Sequence, residues 1–104
     1  MAGSGNIIRG NVASGNFDGI SLLDTSSGTQ VGDNTAHANR NVGIAVAVGS
    51  TLNRLIENKA RSNGAVDLWD GNALCDANRW RRNVFATDSV AGVSDGGPGT
   101  GCVR

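Results

Sequence analysis

Ile8-Arg9-Gly10-Asn11-Val12-Ala13-Ser14-Gly15-Asn16 is answered one step along the chain by Val31-Gly32-Asp33-Asn34-Thr35-Ala36-His37-Ala38-Asn39. It returns after a nearly equal step as Leu55-Ile56-Glu57-Asn58-Lys59-Ala60-Arg61-Ser62-Asn63. The shared frame is an aliphatic residue, then Asn, Ala and Asn at fixed offsets. A worn fourth copy, Trp80-x-x-Asn83-x-Phe85, follows after one more such step. A fixed period of about two dozen residues marks a stacked-repeat protein, in which each repeat is one supersecondary unit and its neighbours complete its core.

A second column lies between the motifs. Gly19-Ile20-Ser21-Leu22 aligns with Gly43-Ile44-Ala45-Val46 and with Asp67-Leu68-Trp69-Asp70. The first two read as short strands of period two. Ile20, Ile44 and Leu68 are expected to stack inward, with Leu22 and Val46 on the same face, while Ser21, Ala45 and Trp69 face outward. Turn signals close the strands at 25–28, 49–51 and 70–72. No segment carries a capped 3.6-residue apolar stripe, so almost no helix is expected. In register, equivalent asparagines fall about 4.8 Å apart and can bond to the Asn above and below. Two ladders are expected: Asn11/Asn34/Asn58/Asn83 and Asn16/Asn39/Asn63.

Three rival solenoids fail on spacing or frame. A left-handed β-helix uses hexapeptides and coils of about 18 residues; leucine-rich repeats need a dense L-x-x-L-x-L frame; calcium-binding nonapeptides need G-G-x-G-x-D. The expected fold is all-β: a single-stranded right-handed parallel β-helix of about four coils with a C-terminal cap loop. The organisation read from the chain is a flexible N-terminus at 1–5, β-helix coils at 6–85 and a capping loop at 86–104.

Composition narrows the function classes. The 104 residues carry nine basic and nine acidic side chains and no net charge. That balance speaks against electrostatic capture of nucleic acid. Arg79, Arg81 and Arg82 form the densest basic cluster and read as a solvated turn. No apolar run reaches the roughly 20 residues of a membrane helix, so no membrane partner is expected. Twelve asparagines and 16 glycines fit a chain that turns often and alike. Cys75 and Cys102 lie outside any metal-binding spacing. A disulfide is the preferred reading and a pair of buried thiols the alternative. The disulfide would stabilise the fold by roughly 3–4 kcal/mol and place the chain in an oxidising, extracytoplasmic compartment. Met1 to Gly5 has no signal-peptide character, so on that reading a signal has been removed.

The string from Asn6 to Asn16 followed by Gly19 to Leu22 resembles the parallel β-helix repeat shared by pectate-lyase-like proteins and NosD-like secreted β-helix proteins. The tail, Asp67 to Asn72 followed by Cys75-Asp76 and Asn78-x-Trp80-x-x-Asn83-x-Phe85, looks like the C-terminal end of secreted actinobacterial members, in which a final cysteine follows. The resemblance implies the fold and the end cap rather than an activity, because this repeat hosts lyases, epimerases, hydrolases and non-enzymes. Members usually carry more coils and an N-terminal cap, so the chain reads as a C-terminal piece of a longer secreted protein.

Lyases of this kind take a proton beside a uronic acid carboxylate with a basic side chain, often using carboxylates that hold Ca²⁺. The nearest grouping here is Asp67 and Asp70 with Trp69, a candidate polysaccharide-binding or -cleaving set. Against it, Asp70 opens an Asp-Gly turn, Asp67 replaces a turn glycine, and Trp69 fits under the C-terminal loop. His37, in column between Ser14 and Arg61, reads as a solvated side chain. Asp18, Asp24, Asp33 and Glu57 read as solubility. No catalytic residue, metal or cofactor is expected. At the C-terminal end, Trp80, Phe85 and segment 86–101 can close the stack. At the N-terminal end, Ile7, Ile8, Val12, Ile20 and Leu22 belong to a coil with nothing above it. Its unpaired edges are a template for another chain, so a homo-oligomer joined through this end coil is expected. The leading reading is a non-catalytic self-association scaffold; the alternative is the polysaccharide unit.

Overall fold

The computed structural model describes residues 4–23, 25–94 and 96–104. Residues 1–3 of the expected N-terminal segment, and Asp24, lie outside the described residues. Three strands make each coil: β1 (Ile7–Arg9), β2 (Val12–Ser14) and β3 (Ile20–Leu22); β4 (Gln30–Gly32), β5 (Thr35–His37) and β6 (Val42–Val46); β7 (Arg54–Ile56), β8 (Lys59–Arg61) and β9 (Val66–Asp70). A fourth, less regular coil holds β10 (Arg79–Arg81), β11 (Asp88–Val90) and β12 (Val93–Ser94). The only helical element among the described residues is one 3-10 turn, Ala73–Cys75. The sheets run β1-β4-β7-β10, β2-β5-β8 and β12-β11-β9-β6-β3, all parallel except β11 with β12. The fold is a parallel β-solenoid of three full coils and a partial fourth.

Register follows the repeat: Ile8 pairs with Val31, Val31 with Leu55, and Leu55 with Trp80. Ala13, Ala36 and Ala60 form the second inward column, closed below by buried Phe85, next to the bridge of Lys59 to Val84. Ile20, Ile44 and Leu68 form the third, as the alternation requires.

The ladders form, and they are saturated. Asn58 Oδ1 accepts from the Asn34 backbone N–H and Nδ2, both at 3.1 Å. Its Nδ2 donates to the Val31 carbonyl at 2.9 Å and to Asn83 Oδ1 at 3.0 Å. Both acceptor sites and both donor protons of the carboxamide are used. Asn63 repeats the arrangement, and Asn39 uses both of its donor protons in the same way. A third ladder, Thr29/Asn53/Asn78, runs through the preceding corner; Thr29 in coil two disguises it in the sequence.

Each residue of the first two ladders follows a left-handed residue. Gly10, Asp33, Glu57 and Arg82 share one such column, with φ of +66°, +53°, +60° and +55°. Gly15, Ala38 and Ser62 share another. A non-glycine residue there costs roughly 1 kcal/mol or more, and the hydrogen bonds made by the following Asn hold it in place.

The ladders have direction: each backbone N–H and one Nδ2 proton point toward the C-terminal end, while the carboxamide oxygen and the other Nδ2 proton point toward the N-terminal end. The C-terminal end of the stack must therefore supply acceptors, and it does. Asn83 Nδ2 donates to the Arg104 carbonyl at 2.7 Å. Asn63 donates its N–H and Nδ2 to Asp67 Oδ1 at 3.2 and 2.9 Å. Asn78 Nδ2 donates to Asp70 Oδ2 at 3.2 Å.

Asp67 sits in the column of Gly19 and Gly43 for a steric reason. A Cβ on Gly43 would lie 2.6 Å from Asn63 Nδ2 and 2.5 Å from the Asp67 carbonyl oxygen. Below coil three the column ends, and the Asp67 side chain takes the place of the next asparagine. Gly43→Ala is accordingly expected to lose about 2 kcal/mol through overpacking against fixed backbone, seen as a lower urea midpoint at unchanged slope. A wild-type midpoint would contradict the close approach.

The C-terminal end is pinned. Cys75 and Cys102 form a disulfide with Cα atoms 6.1 Å apart, and neighbouring Val103 is fully buried in one cluster with Trp80 and Phe85. Segment 86–104 carries β11, which extends the third sheet by pairing Asp88 with Leu68 and Ser89 with Trp69.

Candidate functional site

The outer face of β3, β6, β9 and β11 is hollowed into a groove of about 640 Å³. Ala45 forms its floor, only 6 % exposed although it faces outward. Half-buried Trp69 forms one wall, and Ser21, Asn41, Ser89 and Ser94 supply polar rims. The column Ser21/Ala45/Trp69/Ser89 is set by the register. Gly71 lets the indole lie flat along the turn, since a Cβ there would sit 2.8 Å from Trp69 Cη2. Gly92 and Ser94 belong to the hairpin of β11 and β12, so the C-terminal segment flanks Trp69 without burying it.

The carboxylates expected beside Trp69 are elsewhere. Asp70 follows Leu68 by two residues and so points inward, where it is fully buried. Its Oδ1 accepts from the Asn72 N–H and Nδ2, both at 2.9 Å, and its Oδ2 from Asn78 Nδ2 and Trp80 Nε1 at 2.8 Å for the indole. Asp67, 2 % exposed, uses its Oδ2 on the N–H groups of Ala86 and Thr87 at 3.0 and 3.2 Å. Both side chains are interior, so the candidate set is corrected: of the three, only Trp69 lines the groove. The acids that do line the groove are Asp18 and Asp88. Asp18 Oδ1 accepts from Asn41 Nδ2 at 3.0 Å and the Val42 N–H at 3.2 Å; Asp88 Oδ1 accepts from the Gly97 N–H at 3.0 Å. The period-two pattern marks Trp69 but gives no sign of Asp88, which follows no repeat motif.

The N-terminal end coil divides differently from expectation. Ile20 and Leu22 are 9 % and 0 % exposed, in the core against Ile44 and Val46; alternation turns them inward, so they present no surface. Ile8 is half-buried. Ile7 and Val12 are 64 % and 70 % exposed, joined by Phe17 at 61 %. Ile7 stands above Gln30 and Arg54, and Val12 above Thr35 and Lys59. Columns that are polar in lower coils turn apolar at the rim. β1, β2 and β3 are edge strands, and Asn11, the first ladder member, is exposed where Asn34 is buried.

His37 is exposed, between Ser14 and Arg61 as its column requires. Arg9 pairs with Asp33 at 3.1 Å with both side chains over half exposed, a contact worth little. Among the described residues no group of three His, Cys, Asp or Glu side chains is placed to hold a metal, and no helix is long and apolar enough to cross a membrane.

Comparison with known proteins agrees with the architecture. No curated protein matches the chain, and no solved structure does. The model of the right handed beta helix region matches residues 1–91. Together with the parallel sheets and the saturated ladders, that match places the chain in the right-handed β-helix family.

Proposed function

We propose that the chain is a secreted β-helix scaffold and self-association module whose N-terminal rim joins a second copy. One observation carries this reading: the outward strand columns that hold Gln30 and Arg54, and Thr35 and Lys59, in the lower coils end in Ile7 and Val12 at the rim, with exposed Phe17 beside them. Beside them lie the free edges of β1, β2 and β3, which pair readily with another chain. Carboxamide oxygens face outward at this end, so two such ends set acceptor against acceptor. The contact therefore rests on the apolar rim and the strand edges, with water between the Asn11 carboxamides. The disulfide fits an oxidising, extracytoplasmic setting. In sedimentation at tens of micromolar, the wild type is expected as a dimer or larger, and Ile7→Lys/Val12→Lys as a monomer. A monomeric wild type refutes the proposal.

A second reading is favoured by the groove. Trp69 between serine and asparagine rims is a platform on which a sugar ring can stack, consistent with a polysaccharide-binding unit. Because Trp80 is 2 % exposed, a ligand-dependent change in tryptophan fluorescence would come from Trp69. Titration with uronic acid oligomers is expected to shift the emission of wild type and leave Trp69→Phe unchanged. A flat titration in both removes this reading.

A further inference from the structure

Five arginines gather at the C-terminal end of the sheet β1-β4-β7-β10. Arg54 and Arg79 are direct cross-strand partners, about 4.8 Å apart in strand spacing. Arg81 lies two residues along the same face, and Arg82 occupies the left-handed turn position that follows. Arg54, Arg79, Arg81 and Arg82 border one hollow of about 150 Å³ with Ile56. The last three continue into a second hollow, of about 440 Å³, joined by Arg104. Arg104 is held in place by donating Nε to the Gly101 carbonyl at 2.8 Å and Nη1 to that of Gly99 at 3.3 Å.

Like charges placed directly opposite in a sheet are destabilising, yet no carboxylate among the described residues pairs with Arg54, Arg79, Arg81 or Arg82. Asp67, Asp70 and Asp88 are buried. Glu57, the nearest acid in the turn column above Arg82, makes no ion pair among the described residues. The same outward columns in coils one and two hold Ile7 with Gln30, and Arg9 with Gly32. The positive charge is thus local to two coils rather than a stripe along the stack. A solvated turn does not describe it, because Arg54, Arg79 and Arg81 are strand residues on one flat face.

We propose that this hollow binds a phosphate or sulfate ester group. Four guanidinium forks around a space of that size match a compact multivalent oxyanion, which each can grip with two parallel N–H donors. A long polyanion would need charge along the whole face, and stacking platforms for nucleic acid bases are absent among the residues bordering the hollow, where Trp80 is buried.

The test is calorimetric titration at low ionic strength with inorganic pyrophosphate and inorganic sulfate. A sulfated disaccharide and phosphatidic acid vesicles then distinguish the two ester sources. Saturable binding of at least one inorganic anion is expected, weakened at least roughly tenfold in Arg79→Gln/Arg81→Gln and retained in Arg9→Gln/Arg40→Gln, which removes equal charge elsewhere. Circular dichroism melting of each variant confirms folding. No saturable binding overturns the proposal, as does equal loss in both double variants, which would mean attraction to net charge alone.

Discussion

Asp70→Asn is expected to lower the unfolding free energy by about 3–4 kcal/mol, although it exchanges one heavy atom and removes no volume. The wild-type carboxylate receives four N–H donors from Asn72, Asn78 and Trp80 and is fully buried. A carboxylate only accepts; a carboxamide brings an NH₂ that must face donors whichever way it is turned. Two charge-assisted bonds are replaced by a donor-donor conflict, and at least one buried N–H is left without a partner. Trp80 Nε1–H is the donor to watch, because its indole closes the inward column below Leu55. Urea denaturation of Asp70→Asn against Asp76→Asn, at an exposed site, measures the effect; the control should stay within about 0.5 kcal/mol of wild type. Equal midpoints for the two variants would show that the ladder has no need of an acceptor there.

Removing the disulfide, as Cys75→Ala/Cys102→Ala, is expected to cost about 3.5 kcal/mol. The bond closes a loop of separation 27, and the chain-entropy relation gives this magnitude. For a domain of this size it corresponds to roughly 15–20 °C in melting temperature. The loss should also be uneven in space. Val103 and the Arg104 carbonyl lie next to Cys102, so the N–H and Nδ2 protons of Asn83, which bond that carbonyl, should exchange faster than those of Asn34. A loss under about 1 kcal/mol, or uniform exchange, would mean that packing of Val103 alone holds the cap.

The regular part of this molecule is legible in its sequence because the physics repeats with the residues. Asn11, Asn34, Asn58 and Asn83 occupy one chemical environment in successive coils, and the period reveals both the ladder and the register. What the sequence hides lies where the repeat stops. Asp67 and Asp70 look like surface acids until the direction of the ladders is known; only then does a carboxylate become the group that can end them. Thr29 conceals a third ladder because its backbone N–H serves where its side chain differs. Arg54 stands a whole coil away from Arg79 in the chain, so a local count of charge finds Arg79, Arg81 and Arg82 but not the arginine that joins them across the sheet. Alternation assigns Ile20 and Leu22 to the inward face, and that same alternation removes them from the end surface.

The one-way ladder also bears on how such a chain changes length. Each ladder asparagine meets the coil above with its carboxamide oxygen and the coil below with its backbone N–H, and the sheet bonds repeat from coil to coil, so any internal coil can follow any other. Duplicating or deleting one between the first and the third would leave every junction chemically unchanged and carry the three closing acceptors along intact. Growth by whole coils is therefore open to this architecture in the middle of the stack and closed at its foot, where three oxygen atoms act as punctuation.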